Sequence, residues 1–208
     1  MLLIKNMWIG NSPIVHTHRD LQYGSTAWPM TVIHRILWAC NNLRSLYIVD
    51  LDQNQWYRLQ NDIPASLEHL AMGPVHGPFF INNLMRHPRI RHFTSAQTFM
   101  GDDEVQEIVL FPHMRQFRRI VDFDSRNTLS VALKQASCIS KSKTLEEMQL
   151  LMCGNGQHDE AILKLKAKVQ YISDDKRIII QSSQAKSWLD LLCSEFVAET
   201  EVFIRGCM

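Results

Sequence analysis

The chain has 208 residues, 46% of them hydrophobic and 21% charged, with 22 Lys and Arg against 21 Asp and Glu. That balance suits one folded domain or one compact repeat array and excludes a disordered chain. A net charge of +1 supplies no field for drawing in nucleic acid or a membrane surface, so neither is expected as a partner.

Cys40, Cys138, Cys153, Cys193 and Cys207 are odd in number and widely spaced. Such spacing fits neither a disulfide framework nor a zinc cluster. The opening MLLIKNMWIG is short and broken by Lys5 and Asn6, unlike a signal peptide, and no apolar run reaches the length that crosses a bilayer. The expected compartment is cytoplasmic or nuclear.

In chain order, Met7 in IKNMWI marks a first strand, and the turn-rich stretch NSPIVHTHRDLQYGSTAWP marks a long loop. Val32, Ile33, Ile36 and Leu37 then form a helical stripe. Three segments follow with one spacing of large apolar residues: Leu43, Leu46, Ile48 in NLRSLYI; Leu67, Leu70, Met72 in SLEHLAM; and Ile90, Phe93 in RIRHFTS, where Ser95 is an imperfect third member. HMRQFRR repeats it with Met114 and Phe117, and Arg119 breaks the third position. The central residues Leu46, Leu70, Phe93 and Phe117 are 24, 23 and 24 positions apart. Two-residue alternation turns one face of a short strand inward, and a period in the low twenties holds one strand, one turn and a short helix.

Between the last two of these strands, Val105, Ile108 and Val109 form a helical stripe opened by Asp102, Asp103 and Glu104. Pro64, Pro88 and Pro112 each stand just ahead of a strand, where proline stops a helix. Further on, the pattern predicts a helix over 126–139, a strand centred on Met148, a helix over 158–169 carrying Ile162, Leu165 and Val169, and a strand centred on Ile178. The segment around Met148 is contested. Thr144 and Glu147 have capping-box spacing and Gly154 suits a helix end, while the repeat demands a strand. The strand is preferred, because tertiary context overrides local propensity in short segments. Residues 184–200 form an amphipathic helix with Trp188, Leu189, Leu192 and Phe196 on one side, expected to cover the open end of the stack.

The expected fold is therefore α/β: an irregular leucine-rich-repeat-like solenoid of short parallel strands with helices on the outer side. Residues 1–183 form the array, and 184–208 form a C-terminal capping helix and tail. The segment from Leu37 to Phe123 resembles the leucine-rich-repeat arm of fungal F-box-type proteins, through ILWACNNLRSLYIVDL, IPASLEHLAMGPVHG and PRIRHFTS. The resemblance implies a curved array that presents bound proteins to a ubiquitin ligase. Leu51, Val75, Thr98 and Asp122 stand where regular repeats place Asn or Cys, and no F-box segment is read ahead of the first strand. Ligase recruitment is thus left out of the expectation.

Candidate chemistry is sparse, and no catalytic residue, cofactor or metal is assigned. GNGQHD places Gly154 and Gly156 as the start of a phosphate-binding turn, the basis of the alternative reading as a small α/β enzyme or nucleotide-binding protein. Asp159 occupies the third glycine position, which favours a plain turn. Cys153 with His158 lacks an orienting third group, and His16 with His18 supplies too few ligands for a metal. Arg86, Arg89, Arg91, Arg115, Arg118 and Arg119, interleaved with acids, read as a solvated, compensated face.

The functional expectation is a protein-interaction module, a substrate-receptor arm or adaptor that binds another protein on its strand face. Residues flanking each central residue point away from the helices. One column reads Ser45, His69, His92, Gln116, Glu147, Arg177, and the next reads Trp8, Tyr47, Ala71, Thr94, Arg118, Gln149. The partner-binding residues are taken to be Trp8, Tyr47, His69, His92 and Arg118, with Trp8 and Tyr47 exposed together as an aromatic hot spot.

Overall fold

The computed structural model of the chain describes residues 4–14, 19–74, 76–122, 126–154 and 159–205. Among the described residues, seven strands and six α-helices follow in the order β1 (Asn6–Ile9), α1 (Met30–Ala39), β2 (Ser45–Val49), α2 (Gln53–Leu59), β3 (His69–Gly73), β4 (His92–Ala96), α3 (Asp102–Leu110), β5 (Gln116–Asp122), α4 (Arg126–Gln135), β6 (Glu147–Cys153), α5 (Asp159–Ile172), β7 (Ile178–Ser182) and α6 (Trp188–Arg205), with a 3-10 turn, Ile81–Asn83, in place of an α-helix between β3 and β4. All seven strands are parallel in one open sheet, and their spatial order is their chain order. The fold is α/β, and among the described residues no helix is long and apolar enough to cross a membrane.

The register follows the apolar spacing. Met7, Leu46, Leu70, Phe93, Phe117, Met148 and Ile178 stand opposite one another along the sheet. From Leu46 to Phe117 these residues are buried at 1% exposure or less, and the Phe93 and Phe117 rings stack at 6.0 Å. They form one core with Ile33 and Leu37 of α1, Trp56 and Leu59 of α2, and Val105, Ile108 and Val109 of α3. A second cluster continues it, with Leu150, Met152 and Ile180 against Leu133 of α4 and Ile162, Leu165 and Val169 of α5. Residues 147–153 are a strand, in line with the repeat and against the local helical signals. Met148, Leu150 and Met152 enter one apolar layer while Leu151 and Cys153 enter another, and only a strand serves both faces at once.

Differences from the sequence reading are local. Val32 and Ile36 are exposed, so α1 buries a narrower stripe than the four apolar residues suggested. The helix beginning at Arg126 is α-helical only to Gln135 and tightens to 3-10 geometry over Ala136–Lys141. The largest difference concerns α6. It does not cover the end of the stack. Its side chains pack across the strand face, with Leu192, Trp188, Leu191 and Phe196 clustered on Tyr47, Ala71, Ala96, Ile120, Leu151 and Cys153. The physical reason is area. The outward residues Tyr47, Ala71, Ala96, Ile120, Leu151 and Cys153 form an apolar strip of their own, and laying the amphipathic helix along it buries more than an end contact would.

Candidate functional site

Each strand presents its outward side chains at a fixed height, so the predicted columns exist as geometry. Ser45, His69, His92, Gln116 and Glu147 pair along successive strands, as do Trp8, Tyr47, Ala71, Thr94, Arg118 and Gln149. The structure brings Trp8, Tyr47 and His69 together. The Trp8 and Tyr47 rings stack at 5.5 Å, Tyr47 meets His69 edge-on at 5.1 Å, and His69 lies 6.1 Å from His92.

The expected exposure of this cluster is not found. Tyr47 is fully buried and Trp8 half-buried, because Phe196 of α6 sits 5.5 Å from the Trp8 ring and 5.3 Å from that of Tyr47. The loop also contributes, since Trp8 Nε1 donates to Asn11 O at 2.9 Å. Beyond the aromatics, α6 brings two carboxylates one helical turn apart. Glu199 Oε1 accepts from Tyr47 Oη at 3.0 Å and lies 3.2 Å from His69 Nδ1. Glu195 takes both terminal nitrogens of Arg118 in a bidentate pair, one of them at 2.7 Å. Burial pushes the Glu199 carboxyl up, but the His69 ring and the Tyr47 and Ser45 hydroxyls outweigh it and hold the group below its ordinary value. His92 remains exposed; partial burial and the neighbouring His69 ring lower its pKa. Arg118 therefore belongs to the α6 contact and not to a solvated basic face.

Arg119 departs further from that face. It points the opposite way, into the helix-side core, and is 1% exposed. Its Nη1 donates to Gln135 Oε1 at 2.6 Å and its Nη2 to Thr98 O at 2.8 Å. Burial pulls its pKa down to about 10, with Glu104 opposing, so it stays charged at neutral pH. Glu104 accepts from the Phe79 and Gly101 N–H groups, both at 2.7 Å, and Gln135 Nε2 donates to Met100 O and Asp102. Ser95, the other irregular third position, accepts or donates at 2.9 Å to Nε2 of His76. The two polar interruptions of the apolar repeat are thus joined to one buried network.

His76, Glu104 and Gln135 in this network were missed by sequence reasoning. Ser95 and Arg119 were the available signal, since a polar residue at a core position requires polar partners nearby. The Ser95–His76 pair has the spacing of a nucleophile and base. Both side chains are enclosed, however, at 2% and 6% exposure, behind the Phe79 and Phe93 rings. The His76 Nδ1 contact is with Gly77 O at 2.8 Å, and the pair works as a satisfied core contact.

Burial pulls His76 from an ordinary 6.5 to about 4, the Gly77 contact opposing and Arg119 adding slightly. An unfolded chain takes up this proton below about pH 6.5 and the folded chain refuses it until about pH 4. Stability is therefore full above the higher value and falls as pH drops, by about 3 kcal/mol at pH 4 from this group alone. Denaturant unfolding at several pH values should show this loss in the wild-type chain and a flatter profile in His76→Gln. Equal profiles would mean that His76 is already protonated or already solvated in the fold.

The remaining candidates carry less. Cys153 is buried, and burial with the nearby Asp122 pushes its thiol up to about 11, away from the thiolate a nucleophile requires. Gly154 holds a left-handed φ of 126°, and its N–H donates to Ala185 O at 3.4 Å. Gly156 and His158 lie outside the described residues, as do His16, His18, Val75 and Cys207. Among the described residues, no group of three or more His, Cys, Asp or Glu is placed to hold a metal ion. A groove of about 610 Å³ between α4 and α5 is lined by Leu133, Leu165, Tyr171 and Ile172 between Lys134 and Lys168, and none of the predicted site residues borders it. No protein-family model, curated protein or solved structure matches the chain.

Proposed function

We propose that this chain is a protein-interaction module, an irregular leucine-rich-repeat-like solenoid of the substrate-receptor or adaptor kind that binds a partner protein on its strand face. The observation that carries this reading is the patch formed across two adjacent columns by Trp8, Tyr47 and Arg118 in one and His69 and His92 in the other. It places aromatic, imidazole and guanidinium groups side by side on consecutive parallel strands, with an amphipathic helix already seated across them. Such side chains contribute most when a partner desolvates them. An amphipathic helix laid on a groove is a recurrent mode of protein recognition. The exposed His92 and the half-buried Gln116, Glu147 and Gln149 extend the face beyond α6.

Site-specific photo-crosslinking tests the assignment. A photoreactive side chain at position 92 should capture one partner protein, and the same group at the exposed Leu163 of α5 should not. Capture from position 163 with none from position 92 would place the binding face on the helical side. Tyr47→Ala would not serve as the test, because Tyr47 is buried and its loss disturbs folding as well as binding.

A further inference from the structure

We infer that α6 is a displaceable occupant of the strand face, and that the partner is a helix carrying an aromatic residue between two carboxylates one turn apart. This inference rests on the strand-face reading and names the kind of partner and the event that admits it. Three observations carry it. The template is explicit: Glu195 on Arg118, Phe196 on Trp8 and Tyr47, and Glu199 on Tyr47 and His69 define what the face accepts. The helix is shallowly held, since Leu192 and Cys193 are its only buried side chains over residues 188–200. By contrast, the shorter α3 buries Glu104, Val105, Ile108 and Val109. Finally, the contacts are partly ionic. An apolar helix would cover Ile120 and Leu151 without carboxylates, whereas an acidic pair sets register and direction and lets a competing helix of the same pattern be recognised.

The seated α6 competes at the high effective concentration of a tethered ligand. A partner's apparent affinity is reduced by the fraction of chains in which the face is open. Changes that weaken α6 in the chain should therefore strengthen binding of a separate helix, and a lock on α6 should abolish it.

The test uses the full chain and, as probe, a fluorescent synthetic peptide with the sequence of residues 184–205, followed by anisotropy. Ser12 Oγ lies 3.9 Å from Cys193 Sγ, so Ser12→Cys offers a disulfide that fastens α6 when oxidised and frees it when reduced. The wild-type chain should take up the peptide weakly. Glu195→Lys, which opposes Arg118, should bind it about tenfold more tightly or better. If Glu195→Lys does not fold, Glu195→Gln carries the same comparison with a smaller gain. The oxidised Ser12→Cys chain should bind none, with binding restored by reduction. Equal uptake by locked and reduced chains would overturn the inference, as would absence of uptake by a folded Glu195 variant. Crosslinks from position 92 to a partner without any peptide uptake would leave the strand-face reading standing and remove the displacement alone. Peptide uptake with crosslinks only from position 163 would remove the strand-face partner instead, and the inference with it.

Discussion

Replacing Arg119 by Ala should cost about 3–5 kcal/mol of folding stability, the range for removing one member of a buried charged network. Three losses combine. The Thr98 carbonyl and the Gln135 Oε1 atom lose their donor inside the fold, and Glu104 loses the cation that offsets its burial. A cavity is left where a fully buried guanidinium stood. Because Gln135 also holds Met100 O and Asp102, the loop between β4 and α3 should loosen with it. For a chain of this length the loss corresponds to a melting temperature lower by roughly 6–20 °C. Scanning calorimetry with amide exchange over residues 97–102 measures both. A change of less than about 1 kcal/mol, in the ordinary range of a surface substitution, would mean that Arg119 reaches solvent.

Leu70→Ala should cost about 2–5 kcal/mol. Leu70 is fully buried in the middle of the sheet, with Leu46 on one side and Phe93 on the other. Backbone ladders hold both neighbouring strands, about 4.8 Å away, so the hole left by the side chain cannot close by a small shift. The expected position is the upper half of the range. Urea unfolding of the full chain gives the value, and a loss under about half a kcal/mol would contradict the register that places Leu70 at the centre of the core.

These two residues divide the problem. Leu70 was readable from the sequence because its environment repeats: three successive segments carry the same spacing, and a parallel sheet in chain order follows when each repeat supplies one strand. The same logic recovered the side-by-side placement of His69 and His92, and of Tyr47 and Arg118 three strands apart in one column. It also decided residues 147–153 correctly against their own helical signals.

What the sequence by itself determined is therefore set by local period: the strand positions, their register, and the amphipathic character of the last helix. What only the tertiary structure decided is what covers each surface and which distant polar groups meet. The outward alternation in SLYIV and QLLMC is apolar too, a sign that both faces of the sheet are buried, but nothing local says that residues 188–205 provide the cover. Glu195 and Arg118 are 77 positions apart, and Glu199 and Tyr47 are 152 apart. The Arg119–Gln135 contact joins a strand to the end of a later helix. Periodicity carries no information about such pairs. They are selected by the burial of apolar area and the cost of leaving a buried charge or carbonyl without a partner, and both act only once the chain has closed on itself.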